Sequence, residues 1–419
     1  MAISSDREAT WGATVRLSVG RNRRQGVLAG PDLAFIGLPG PASPRAARPV
    51  PNSCEYMKMV QTAKLPIIDV SGDGDQTQVA KELVEAAIEH GFVYIRNTGD
   101  DIPVEAIDQA FEISKRLFDA PLSEKQACAI QQNNRGWSGL NVEKLDPANQ
   151  RVGDFKEAFN FGEFISGKAQ QPLPPTIAAD EPSISAFRDH CYNLTLKLNT
   201  LLGIGLQVTP PDFFTQAHLR SRGPSGTILR FLRYPPRNTL LLQSPQDHQP
   251  KENDVRAGAH SDYGSLTLLF RLRDQPGLEI LLRDGTTWAP VPVVPPTAEN
   301  DPAPPILVNI GDLLSYWTNG LLRSTVHRVV FPSSTSSSLG SGGVEGEEVD
   351  VDGPRYSIAY FCHPFHKAEL TPVPSERVRQ YKGGLAEGNP YAERRVLTAE
   401  EHLRMRLKAS YAGLYEDKE

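Results

Sequence analysis

From residue 227 to residue 363 the chain returns repeatedly to short runs of branched and aromatic residues, each broken off by Gly, Pro, Asp or Asn. TILRFLRYP (227–235), GSLTLLFR (264–271), GLEILLR (277–283), TTWAPV (286–291), PILVNIGDLL (305–314), STVHRVVF (324–331) and RYSIAYFCH (355–363) have the length and composition of β-strands. Many short strands of this kind predict a sandwich or jelly roll. Two interruptions, PVVPPTAENDPAPP (292–305) and PSSTSSSLGSGGVEGEEVDVDG (332–353), read as surface loops, the second flexible and acidic.

Upstream the period changes. After a first strand, LPIIDV (65–70), the segment 78–92 places Val79, Leu83, Val84, Ala87 and Ile88 at helical spacing, with Gly91 suited to a C-terminal cap. FVYIRN (92–97) reads as a strand, Pro103 opens a helix over 104–120, and a long apolar-periodic segment runs from Ile184 to Leu206. At the far end, 398–415 reads as a helix in which Thr398 and Glu401 can form a capping box. No internal repeat is present. The fold class is therefore α+β: a jelly-roll core over 226–370, a mainly helical part over 57–225 packed around it, and a C-terminal helical segment over 371–419.

Residues 1–56 differ from the rest. Arg7, Arg16, Arg21, Arg23, Arg24, Arg45 and Arg48 stand among few acids, with abundant Gly and Pro, which predicts a disordered extension. An Arg-rich, acid-poor start is also the composition of an organelle transit peptide, while Met57 and Met59 stand just before the first strand and offer a later start. The net charge of −6 carries no long basic block, which argues against nucleic acid as a partner. Cys54, Cys128, Cys191 and Cys362 form no CxxC pair, which argues against a disulfide framework and for a reducing, cytoplasmic setting. No stretch approaches the roughly 20 apolar residues that a membrane span needs.

AGAHSDYGSLTLLF (257–270) sets His260 and Asp262 two apart, ahead of an alternating run. Residues i and i+2 of a strand point to one side, so an imidazole nitrogen and a carboxylate oxygen can meet at one point. His327 interrupts the apolar run STVHRVV with a polar group that needs a partner. Two histidines and one carboxylate on one face of an octahedral ion leave positions open, the arrangement of non-haem Fe(II) oxygenases. A His-x-Asp pair alone is usually a surface turn. The remaining histidines, His90, His190, His218, His248, His363, His366 and His402, read as structural or solvated.

The order of several motifs adds to this. RYP (233–235), AGAHSDYGSLTLLF, PGLEILLRDGTTWAPV, ILVNIGDLLSYWTNGLLRSTVHRVV and RYSIAYFCHP together resemble the 2-oxoglutarate and Fe(II)-dependent dioxygenases of the isopenicillin N synthase-like group. LPIIDVSG, EHGFVYIRN, NRGWSGLN (134–141) and DFKEAFNFG (154–162) are similar, more weakly, to that group's helical segment, so the likeness spans roughly 65–365. The resemblance implies that His260, Asp262 and His327 bind Fe(II) and that Arg355 and Ser357 hold the distal carboxylate of 2-oxoglutarate. An arginine fork suits that carboxylate, and a serine two residues on faces the same side. Tyr234 aligns with a co-substrate tyrosine, although Leu232-Arg233-Tyr234-Pro235 departs from the family's Asn-Tyr-Tyr-Pro. The 332–353 loop and a stretch at 236–255 are insertions against the family pattern.

The implied reaction couples decarboxylation of 2-oxoglutarate to succinate and CO2 with dioxygen-driven oxidation, chiefly hydroxylation, of a substrate C–H bond. Asn134, Arg135, Trp137, Phe159 and Phe361 are the substrate-lining residues that the resemblance suggests. The substrate class stays open among a nucleobase, a polyketide or alkaloid intermediate and a modified amino acid; a likeness of 134–162 to fungal members, thymine hydroxylase-like proteins among them, favours a small heterocycle. The expected partner is that small molecule, with no nucleic acid and no membrane, bound by a monomer. Two other readings are an Fe(II) oxidase of the same group that uses no 2-oxoglutarate, against which Arg355 and Ser357 weigh, and a metal-free jelly-roll binding protein, against which the intact triad weighs.

Overall fold

The computed structural model describes residues 62–72, 76–147, 149–150, 152–236, 254–331, 353–383 and 395–410. The extension over 1–56 lies outside these, as do most of the stretch at 236–255 and most of the 332–353 loop.

The chain opens with β1 (Ile67–Ile68), α1 (Gln76–Glu89), β2 (Phe92–Ile95), α2 (Val104–Asp119) and α3 (Leu122–Ala127). It continues through β3 (Gly136–Ser138), β4 (Glu157–Phe161), a small hairpin of β5 (Phe164–Ile165) and β6 (Lys168–Ala169), α4 (Glu181–Gly205) and α5 (Phe213–His218). The β-rich half holds β7 (Ile228–Tyr234), β8 (Asp254–His260), β9 (Leu266–Arg271), β10 (Leu278–Leu281), β11 (Trp288–Pro290) and β12 (Ile306–Ile310). After α6 (Asp312–Trp317) come β13 (His327–Phe331), β14 (Arg355–Cys362), α7 (Glu376–Gln380) and α8 (Ala399–Ser410).

Eight strands form the larger sheet in the order β1-β2-β12-β9-β14-β7-β4-β3, and four form the smaller, β11-β10-β13-β8. Strand parity explains the layers. Tyr356, Ile358, Tyr360 and Cys362 of β14 join Leu229 and Phe231 of β7 and Phe159 and Phe161 of β4 in a core shared with α1, α2 and α4. The alternate residues Ala359, Leu232, Tyr234 and Ala158 join Ala257, Leu278, Ile280, Val329 and Phe331 of the smaller sheet in a second core. The larger sheet is thus buried on both faces, which is why its strands read as nearly continuous apolar runs. Each fully buried Leu or Phe contributes about 1.5–3 kcal/mol.

One glycine fixes the approach to the site. Gly91 closes α1 at φ +66°, and a Cβ there would stand 2.2 Å from the Arg323 carbonyl oxygen. The close pass lets the Thr325 hydroxyl donate to the His90 carbonyl at 2.6 Å, which anchors the segment leading into His327.

The amino-terminal half holds the long helices α1, α2 and α4 and also supplies β1 to β4 to the larger sheet. Two expectations change. PILVNIGDLL is strand only through Ile310; Gly311 turns the chain and Asp312–Trp317 is helix. LPIIDV keeps only Ile67–Ile68, since the Asp69 carboxylate accepts from Ser71 N–H and hydroxyl and makes a turn. The helix expected over 398–415 runs over Ala399–Ser410 of the described residues, opened by the Thr398–Glu401 capping box. No helix of the described residues is long and apolar enough to cross a membrane, and Cys128, Cys191 and Cys362 are buried free thiols.

The packing of α5 makes stability depend on pH. His218 is buried, its ring held by the Phe214 carbonyl at 2.6 Å and the Ser265 hydroxyl at 2.9 Å, and burial pushes its pKa down to about 4 from 6.5. The unfolded chain takes up this proton near pH 6.5 and the folded chain resists it until about 4, so stability falls as pH falls through that window. The expected loss from this side chain is about 3 kcal/mol. Urea unfolding between pH 7.5 and 4 should show a shallower decline in His218→Gln than in the parent; parallel curves would contradict it.

Candidate metal and co-substrate site

The triad assembles at one end of the smaller sheet. β8 and β13 pair with His327 directly opposite His260, and the two imidazole centroids lie 4.3 Å apart. β8 ends at His260, so Asp262 sits in the turn beyond it rather than on the strand. Its Oδ1 is 3.9 Å from His260 Nε2 and 3.7 Å from His327 Nε2, and one ligand atom from each of the three side chains fits within 4.8 Å. Each ring donates Nδ1–H to a carbonyl two residues upstream, His260 to Gly258 at 2.8 Å and His327 to Thr325 at 3.0 Å. That fixes the tautomer and turns the Nε2 lone pairs toward Asp262.

The carboxylate is steered as well. Thr267 hydroxyl (2.6 Å) and Asn309 amide (2.8 Å) both donate to Oδ2, which leaves Oδ1 facing the histidines. Burial works to raise the Asp262 pKa, but the charges of His327 and His260 and these two bonds outweigh it and hold the carboxyl below its ordinary value. Burial, aided by His327, pushes the His260 imidazole down to about 4. A deprotonated carboxylate beside an imidazole that resists protonation is what a divalent cation requires.

Around this lies a supporting ring. Asp312 donates its N–H to the Asp262 carbonyl at 2.7 Å, and its carboxylate accepts from Ser261 at 3.0 Å and Ser324 at 2.6 Å while pairing with Arg406 of α8 at 2.9 Å. Removing an outer bond loosens a ligand without deleting it. Thr267→Val should weaken Mn(II) affinity about 10–100-fold with the fold intact, as read by titration under anaerobic conditions; an unchanged affinity would show that Thr267 does not orient Asp262.

The triad opens on a pocket between the two sheets with about 980 Å³ of empty space, continuous with solvent. At one end β14 and β7 place Arg355 opposite Tyr234 and Ser357 opposite Leu232. Arg355 Nε donates to the Pro276 carbonyl at 2.8 Å and the guanidinium stands 5.1 Å from the Tyr234 ring centroid, yet its Nη1 is buried without a partner. A buried guanidinium nitrogen with a hydrogen left to donate is suited to a carboxylate. Elsewhere on the pocket wall Arg230 Nε donates to Asn160 at 2.7 Å and its Nη1 meets Glu143 at 3.2 Å, Glu143 pairs with Lys156 at 3.0 Å, and Lys156 with Asp154 at 2.7 Å. Ile228, Phe361 and, from α8, Leu403 and Leu407 supply apolar surface.

Residues 226–364 match the 2OG-Fe(II) oxygenase superfamily, and residues 65–179 match the family described as non-haem dioxygenase in morphine synthesis N-terminal. UPF0676 protein C1494.01 of Schizosaccharomyces pombe is 36% identical over 320 residues, 75% of this chain and 86% of the relative. The 2-oxoglutarate-dependent dioxygenase gloF of Glarea lozoyensis is 30% identical over 327 residues, 73% of this chain and 88% of the relative. The chain belongs to the 2OG-Fe(II) oxygenase superfamily. Its fold agrees: the crystal structure of a full-length Neurospora crassa protein in complex with alpha-KG and thymine superposes with a TM-score of 0.61 at 26% identity, covering 82% of this chain and 96% of the Neurospora chain. The protein is an oxidoreductase of the isopenicillin N synthase-like type that uses Fe(II), 2-oxoglutarate and dioxygen on small molecules.

Of the residues suggested as substrate-lining, Asn134 and Phe361 line this pocket. Arg135, Trp137 and Phe159 are not among the pocket's lining residues. Phe159 lies opposite Trp137 in the β3–β4 register and has the wrong strand parity: Ala158 and Asn160 face the smaller sheet or Arg230, while Phe159 packs 4.7 Å from Phe161 in the helix-side core. Trp137 shares that side, with its indole N–H donated to Glu157 at 3.0 Å. Arg135 lies against Gly162, near Glu163. Sequence reasoning passed over Thr267, Asn309, Arg230, Glu143 and Lys156. Asn309 in ILVNI and Arg230 in ILRFL interrupt apolar runs as His327 does, and that interruption was the available signal.

Proposed function

We propose that His260, Asp262 and His327 hold Fe(II), that Arg355, Ser357 and Tyr234 receive the distal carboxylate of 2-oxoglutarate, and that the enzyme hydroxylates a C–H bond of a compact, uncharged, polar molecule. The observation that carries the reading is the convergence of two Nε2 lone pairs and one carboxylate oxygen within 4.8 Å in a pocket that also holds the unpartnered Arg355 Nη1. The donor set fits the ion, because two imidazoles and one carboxylate suit Fe(II) and leave coordination positions open. It fits the co-substrate too, since Arg355 offers a charge-assisted donor and Ser357 a hydroxyl from the same face of β14. In this reading residues 226–370 form the catalytic core, with α8 contributing a wall.

When bound together, Fe(II), 2-oxoglutarate and dioxygen supply the oxidising power for C–H hydroxylation, with succinate and CO2 as the co-products. The chain's own part is placement and exclusion. Thr267 and Asn309 hold the carboxylate, the two carbonyl-anchored imidazoles hold the tautomer, and Arg355 sets the depth at which the co-substrate stops. Leu403, Leu407, Ile228 and Phe361 keep water from the reacting carbon.

The substrate class follows from the polar wall. Arg230 and Lys156 stand against Glu143 and Asp154, so the charges cancel and the wall presents donors and acceptors without a net field. The likeness to the Neurospora crassa protein solved with thymine supports a small heterocycle of that character. Anaerobic titration of the apo-protein with Fe(II) and then 2-oxoglutarate should raise a weak visible absorption band that needs both additions. Uncharged heterocycles with adjoining donor and acceptor groups should then accelerate succinate release more than carboxylic acids of equal size do; acceleration by acids alone would overturn the substrate reading.

A further inference from the structure

Behind the larger sheet, on its helix side, lies a second, small cavity, lined by Arg188 of α4, Arg220, Tyr360 of β14, Tyr192, Glu163 and His363. Arg188 Nε, Arg220 Nε and His363 Nδ1 are buried without a hydrogen-bond partner, and the Tyr360 hydroxyl stands beside the Arg220 guanidinium with its own hydrogen still to donate. Arg188 is 1% exposed and Tyr360 is fully buried. The nearest carboxylates answer these donors only in part. Asp189 takes Arg220 Nη1, and Glu163 Oε1 accepts from Ser225 at 3.4 Å and stands 3.7 Å from Arg188 Nη2. Arg220 is further fixed with its guanidinium 3.9 Å from the Tyr192 ring centroid.

We propose that this cavity binds a small monovalent anion of the halide class. Buried donors without acceptors cost about 1–3 kcal/mol each, more when charged, so a native structure seldom leaves several in one place. A water molecule can accept two of these hydrogens but brings two of its own, for which Glu163 is the one carboxylate in the lining. An anion accepts from every side and brings none. The charges agree: the guanidiniums of Arg188, Arg220 and Arg135, the last close enough to act on Arg188 and Glu163, face the carboxylates of Glu163 and Asp189 and leave one positive charge over. The buried His218 also lines the cavity, its ring nitrogens occupied by Phe214 and Ser265.

The site would tie three elements together. α4 supplies Arg188, the segment after α5 supplies Arg220, and β14 supplies Tyr360 five residues after Arg355. His363 lines this cavity and the active-site pocket alike, so the anion would brace a wall of the substrate space from behind. None of this needs iron or 2-oxoglutarate, and the test uses neither.

Crystals of the full chain soaked in sodium bromide and measured at the bromine absorption edge should show an anomalous peak among Arg188, Arg220 and Tyr360. In solution, chloride or bromide should raise the melting temperature by about 2–4 °C over sodium gluconate at equal ionic strength. Tyr360→Phe removes one donor at constant volume and should at least halve that halide-dependent increment, whatever it does to the starting stability. An ordered water without anomalous signal, together with equal melting in the two salts, would overturn the proposal.

Discussion

Asp262→Ala should lose Fe(II) and, with it, turnover. The substitution removes the one carboxylate that faces both Nε2 atoms, and it leaves the Thr267 hydroxyl and the Asn309 amide without the oxygen to which they donate. Loss of an outer partner costs 10–100-fold in metal affinity, so loss of the ligand itself should cost more than about 100-fold. Succinate formation should fall by about a thousandfold, equivalent to about 4 kcal/mol at the barrier. Folding is checked separately: the variant should melt cooperatively and should lack the rise in melting temperature that Fe(II) or Mn(II) gives the parent. A variant that kept its metal-dependent rise would remove Asp262 from the site.

Arg355→Gln should separate co-substrate from metal. The shorter amide would keep a donor at the end of the pocket but lose the charge and the fork, and hydrogen bonds to charged groups are worth about 1.5–3 kcal/mol each. The KM for 2-oxoglutarate should rise about 100-fold, equivalent to about 3 kcal/mol, while Mn(II) affinity stays within about twofold of the parent. The split is the signature. A general loosening of the sheet would weaken both, because Arg355 Nε also holds the Pro276 carbonyl and the strand β14 pairs with β7 and β9. Equal loss of metal and co-substrate would therefore assign Arg355 to the fold and not to 2-oxoglutarate.

Much of this was legible because local patterns and tertiary demands agree. The strands that carry the site, Ile228–Tyr234, Leu266–Arg271, His327–Phe331 and Arg355–Cys362, alternate or run apolar as buried strands must, and the polar residues that open two of them, His327 and Arg355, line the pocket. What sequence could not show was parity across neighbours. Phe159 and Trp137 lie within a motif similar to the family's substrate region, yet strand register sends them to the helix side, and a one-residue shift in register would have exchanged Phe159 for Asn160. Nor could spacing reveal partners far apart in the chain. Asn309 reaches Asp262 across 47 positions, Arg406 of α8 reaches Asp312, and Glu143 meets Arg230 across 87. The second cavity was equally hidden, since Arg188, Arg220 and Tyr360 belong to three elements with no motif between them.

The central claim is that three side chains, two at strand ends and Asp262 in the turn after β8, share one ion beside a carboxylate clamp. A crystal structure determined after anaerobic soaking with Mn(II) and 2-oxoglutarate tests it most directly. The account predicts one anomalous manganese peak bonded to His260 Nε2, Asp262 Oδ1 and His327 Nε2, with the far carboxylate of 2-oxoglutarate on Arg355 and Ser357. Manganese bound elsewhere, or 2-oxoglutarate seated with that carboxylate away from Arg355, would contradict it.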